Sequence, residues 1–159
     1  MFTATLFLLL VQDATAPPAD RIARRQAIDY LAAKEWPVLI QTVEAWSGLP
    51  KADRARLVEH LTPAVKDRRR VPLEEVQDLI IFYRLSTGDL TYQGHGGIVG
   101  QDLFITGGRA AWALEKLLDV ELPELNEGLT AKKWAARATK IARRVKNAGK
   151  SKQGTGRAP

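Results

Sequence analysis

Pro37, Pro50 and Pro63 stand 13 residues apart and govern what the first half of this chain can become. A proline fits the first turn of a helix but breaks its interior, so each one opens a new segment, and none of these segments exceeds about three helical turns. The segments share little besides this spacing, which makes the prolines punctuation rather than the period of a repeat array. Apolar residues fall at helical intervals between them. A first helix runs from a capping Asp20 to about Lys34, with Ala23, Ala27, Tyr30 and Leu31 on one stripe. The next, about 37–46, carries Leu39, Val43 and Trp46 and stops at Ser47-Gly48. A third, about 50–61, carries Leu57, Val58 and Leu61, and Thr62-Pro63 begins a short extra turn.

Pro72, followed by Glu74 and Glu75, opens a fourth helix with acidic side chains at the positive end of its dipole. Val76, Leu79, Ile80 and Tyr83 form its stripe. Ile81 and Phe82 widen the apolar surface, as expected of a central helix packed from two sides. A fifth, about 109–119, has Ala110, Ala111, Leu114, Leu117 and Leu118. A sixth, about 130–146, has Trp134, Ala138, Ile141 and Val145. Short connections make the early helices antiparallel neighbours. The fold expected is mainly α: one compact domain of about six helices over residues 17–146, with one small antiparallel β-ribbon in a glycine-rich segment.

At 159 residues the chain is long enough to bury a core without a disulfide or metal staple. With no cysteine, disulfides, thiolate metal sites, iron–sulfur ligation and cysteine nucleophiles are excluded. His60 and His95 are the two histidines, too few for a multi-histidine metal centre, and His60 beside Glu59 reads as a surface residue. No metal and no cofactor are expected. Trp46 and Trp134 lie on apolar stripes and read as core, and Arg68-Arg69-Arg70 as solvated charge.

The net charge of +6 is concentrated at one end. Residues 128–159 carry ten Lys/Arg and no Asp or Glu, which leaves the other 127 residues with a net charge of −4. On the sixth helix, Lys132, Lys133, Arg137, Lys140, Arg143, Arg144 and Lys146 lie away from the apolar stripe. That distribution makes them candidates for binding a polyanion. Asn147 to Pro159 has no large apolar residue and reads as a disordered basic tail. Within it, Gly149-Lys150-Ser151 lacks the glycine five positions earlier that a phosphate-binding loop needs, since position 144 is Arg.

At the other end, the apolar run Ala4 to Val11 is too short to span a bilayer but suits the core of a secretory signal. Ala14-Thr15-Ala16 supplies a small-residue cleavage site. The absence of Lys and Arg ahead of the run and Pro17 directly after the site speak against a signal. The alternative is a short apolar element packed on the domain. Export of residues 17–159, to the periplasm or beyond, is the expectation, with a cytoplasmic protein the outcome if residues 1–16 remain.

Residues 86–108 hold seven of the twelve glycines. Leu90-Thr91-Tyr92 and Leu103 to Thr106 have strand character and are read as the two sides of the ribbon. A loop this long and this rich in glycine is the place to look for a site. His95 with Asp89 or Asp102 offers a general-base pair, because a carboxylate orients imidazole and raises its pKa. Gly107-Gly108-Arg109 offers backbone amides and a cation to an anion at a helix start. His95-Gly96-Gly97 resembles an oxyanion loop, but no serine stands in a nucleophile-elbow context. A dinucleotide fingerprint fails at Val99.

No catalytic set is complete, so the reading leans away from an enzyme. The function expected is an exported, non-enzymatic binding or structural domain that meets an acidic envelope polymer or acidic protein through its basic C-terminal helix and tail. Sequence-independent nucleic-acid binding is the alternative, and an enzyme centred on His95 a second one. No heptad seam is left over, so a monomer is expected.

Overall fold

The computed structural model describes residues 17–73 and 101–151, without the side chains of the last two. They form five α-helices and one 3₁₀ turn: α1 (Pro18–Ala32), α2 (Trp36–Ser47), α3 (Lys51–Leu61), the turn Thr62–Lys66, α4 (Thr106–Leu118) and α5 (Ala131–Ser151). The fold is mainly helical. The helix read from Pro72 and the first ribbon run at 90–92 lie outside the described residues, as do Asp89 and His95.

Among the described residues there is no strand, only isolated bridges pairing Arg70 with Ile105 and Gln101 with Leu125. The second ribbon run is therefore not a strand here: Thr106 already begins α4.

The central helix among the described residues is α4, with eleven of its thirteen residues buried. Helices α1, α2, α3 and α5 and the 3₁₀ turn all pack on it. Small residues make this possible. A Cβ on Gly108 would stand 2.0 Å from the Asp102 carbonyl oxygen, and one on Gly107 would stand 2.7 Å from both Trp134 Cζ2 and the Val65 carbonyl oxygen. Close approach here outweighs the entropy that two glycines cost at a helix start. That is why α4 begins three residues before the sequence-based boundary near 109. It ends at Asp119, whose φ of 54° is left-handed, with the Val120 N–H closing on the Glu115 carbonyl.

Other boundaries moved for local reasons. Pro17, not Asp20, precedes α1, and Asp20 in the first turn instead meets His60 Nε2 at 2.9 Å, joining α1 to α3. His60 is thus half-buried and partnered rather than a free surface residue. The predicted stripes hold: Tyr30 packs its ring against Trp46 at 5.0 Å, and Leu39, Leu57 and Leu61 are fully buried. Trp36 and Trp112 stack at 6.5 Å between centroids, which puts both in the core.

Candidate polyanion-binding surface

Helix α5 is built from two requirements that its sequence meets separately. Trp134, Ala138, Ile141 and Val145 are all buried, so one stripe belongs to the core. The N-terminus is capped by Thr130: its Oγ1 accepts from the Lys133 N–H at 3.3 Å and its carbonyl from the Trp134 N–H at 2.9 Å. The helix continues to Ser151, five residues beyond the predicted end, so Asn147 to Ser151 is helical rather than part of a disordered tail. Ala148 carries the packing into that last stretch by resting half-buried against the core.

The opposite side is basic. Lys132, Lys133, Lys140, Arg143, Arg144 and Lys146 are exposed, and Arg137 is half-buried. From Lys132 to Lys146 they span about 21 Å of axis at 1.5 Å per residue. Arg144 donates to the Glu121 carbonyl at 2.8 Å. Among the described residues, none of these seven cations pairs with a carboxylate, and α5 has no acidic residue of its own. Lys132 and Lys133 sit in the first turn, where the helix dipole is itself positive. Their placement works against helix stability and raises the potential that an anion would meet there.

Arg68 adds to this end. Its guanidinium lies 5.7 Å from the Trp134 ring centroid and donates to the Leu129 carbonyl at 3.2 Å. The other two arginines of that run are held by acids: Arg69 clasps Asp67, and Arg70 meets Glu127 at 2.6 Å. The Arg69 guanidinium beside Asp67 holds that carboxyl below its usual range. All three arginines are exposed, as solvated charge is, but each is turned to a separate partner.

The remaining candidates fall elsewhere. Asp102 shapes a turn: Oδ1 accepts from the Phe104 N–H at 3.0 Å and Oδ2 from the Glu127 N–H at 3.1 Å. Arg109 is fully buried and points inward. The Thr106 N–H donates to the Arg69 carbonyl and the Gly107 N–H to the Asp67 carbonyl, at 3.0 and 2.8 Å. Gly107, Gly108 and Arg109 therefore join segments of the fold, and a dissolved anion does not reach the Arg109 charge. Among the described residues no group of three or more metal-ligating side chains comes together, and no helix is long and apolar enough to cross a membrane.

No family model, curated protein or solved structure matches this chain. The functional reading therefore rests on the surface itself.

One polar pair escaped the sequence reading. Gln101, buried at 1% exposure, donates through Nε2 to Glu115 Oε1 at 3.0 Å, while its Oε1 accepts from the Leu125 N–H at 3.1 Å. Glu115 also accepts from the Leu122 N–H, so the two side chains tie the segment before α5 to α4. A lone Gln at the end of a glycine-rich run gives no periodic signal. Burial pushes the Glu115 carboxyl above its usual range, against the lowering effect of the hydrogen bonds from Gln101 and Leu122.

A folded-state pKa above the unfolded one gives stability that is full below the unfolded value and is lost as pH rises through the folded value. Glu115→Gln keeps the acceptor and removes the charge. Urea unfolding from about pH 4 to about pH 8 should show variant and wild type alike at the acid end, and the variant increasingly the more stable toward neutrality. A constant difference across that range would contradict the burial of this carboxyl.

Proposed function

We propose that this protein is a non-enzymatic binding domain that holds an acidic partner, an envelope polymer or an acidic protein, against the basic face of α5. The observation that carries the reading is a set of exposed cations on one helix side with no carboxylate partner among the described residues. A face that merely balanced the acidic body would be expected to pair with it. Sequence-independent nucleic-acid binding is the second reading, favoured by a 21 Å line of cations, about the length over which many duplex phosphates fall.

Removing α5 is not a usable test, because Trp134 and Ile141 belong to the core. Replacing exposed Lys133, Lys140 and Arg143 by Gln leaves that stripe intact. The triple variant should unfold at nearly the wild-type urea concentration, since surface changes of this kind stay within about 0.5 kcal/mol. It should also lose most of its affinity for a heparin fragment. Unchanged heparin binding would remove α5 as the binding face.

Export is proposed from the apolar run before Ala14-Thr15-Ala16. The intact mass of protein taken from its own cells tests it. Loss of residues 1–16 favours the envelope partner. An intact N-terminus in the soluble cytoplasmic fraction overturns export and gives the nucleic-acid reading precedence.

A further inference from the structure

A groove of about 470 Å³ opens between α3 and the C-terminal ends of α4 and α5, on residues that the polyanion reading, Lys146 apart, does not use. Its apolar lining is Leu117 and Leu118 from α4, Val145 from α5 and Val58 from α3, among others. Among the described residues its cations are Lys51 and Arg54 from α3 and Lys146 from α5, and its acid is Glu59. Volume and lining both match a small-molecule site, since such pockets run to about 300–1,000 Å³ and are mostly apolar with a few placed polar groups.

Arg54 decides the chemistry. Its side chain is half-buried, and among the described residues its Nε meets no hydrogen-bond acceptor. The rest of this half-buried guanidinium lines the groove, where a charged acceptor from solution would complement it. A mostly apolar lining that also carries Lys51, Arg54 and Lys146 suits an anion with a hydrocarbon body.

We infer that the groove between α3, α4 and α5 binds a free medium-chain aliphatic carboxylate, with the carboxylate on Arg54 and the chain along Val58, Leu117, Leu118 and Val145. The carboxylate accepts charge-assisted hydrogen bonds from the guanidinium, and Lys146 in the same lining adds attraction. Chain methylenes leave water for the apolar lining.

Calorimetric titration of the full chain with octanoate, nonanoate and decanoate, below their micellar concentrations, tests this. One saturable site is expected, with Kd falling about fourfold per added methylene. Arg54→Gln should raise the decanoate Kd about tenfold and change that of decanol less than about twofold. Affinity independent of chain length in the wild-type protein, equal affinity for decanol and decanoate, or no effect of Arg54→Gln would each overturn the assignment. So would a dimer in sedimentation that dissociates on Arg54→Gln, since a second copy would then fill the groove. The Lys133, Lys140 and Arg143 to Gln variant separates this site from the polyanion face. It should keep decanoate binding and lose heparin, and loss of decanoate binding in that variant would place the ligand on α5 instead.

Discussion

Arg109→Met should destabilise the fold by about 3–5 kcal/mol, a large part of the roughly 5–15 kcal/mol that holds a domain of this kind together. The guanidinium is fully buried and, among the described residues, donates to four backbone carbonyls. Its Nε donates to the Leu103 carbonyl at 2.5 Å, and Nη2 donates to the Val71 carbonyl at 2.8 Å. Nη1 reaches the Leu31 carbonyl at 3.2 Å and the Ala33 carbonyl as well. Leu31 and Ala33 lie at the C-terminal end of α1, where the helix dipole is negative, so the charge is stabilised there as well as hydrogen-bonded. Methionine fills much of the volume and leaves these carbonyls without their donor, at about 1–3 kcal/mol for each that water cannot reach. Lysine restores the charge but not the planar fork that spans separate segments, so Arg109→Lys should recover less than half of the loss. Urea unfolding midpoints measure both. A loss under about 1 kcal/mol for the methionine variant would mean that water replaces the guanidinium freely.

This arginine shows where sequence reasoning stops. Gly107-Gly108-Arg109 is visible in the sequence as a special place, and two glycines followed by a cation suggest amides turned toward an external anion. What decides their use is the distance from Gly108 to Asp102 and from Gly107 to Val65 and Trp134, and that depends on how separate segments meet. Periodicity carries no information about it. The stripes of α1, α2, α3 and α5 were legible because each helix faces the core on one side only. On α4 that logic fails, since the surrounding helices bury nearly all of it and no polar face is left to set a boundary.

Side-chain partners across long separations were equally out of reach. His60 next to Glu59 gives no hint of Asp20 forty residues earlier, and Gln101 gives none of Glu115. Arg68, Arg69 and Arg70 read as one cluster, yet each is turned to a different neighbour. The basic face of α5 was legible for the opposite reason. A helix whose apolar residues repeat at 134, 138, 141 and 145 must carry everything else outward, so the positions of Lys132, Lys140 and Arg143 follow from one docking contact. The end of α5 was not legible, because Asn147 to Ser151 has weak intrinsic preference and its helix continues from the packed turns before it.

That legibility makes the basic face the firmest basis for function. Each phosphate neutralised by a Lys or Arg releases condensed counterion, so affinity for duplex DNA falls with salt by a logarithmic slope of about −0.9 per contact. If five of the seven cations engage, the slope is about −4.5, and affinity drops by about 500-fold between roughly 50 and 200 mM salt. Such binding is indifferent to base sequence, because the contacts are to charge alone. Neutralising Lys133, Lys140 and Arg143 takes away three of those contacts and should reduce the slope by about 2.7.

The most direct measurement is therefore the affinity of the wild type and of this triple Gln variant for a random-sequence duplex, a polyanion of known charge spacing, over a series of salt concentrations. A slope near −4 to −5 for the wild type, falling to about −2 in the variant with the fold intact, is the predicted result. Weak binding with a shallow slope in both proteins, or a steep slope that the variant leaves unchanged, would contradict a polyanion-binding role for α5.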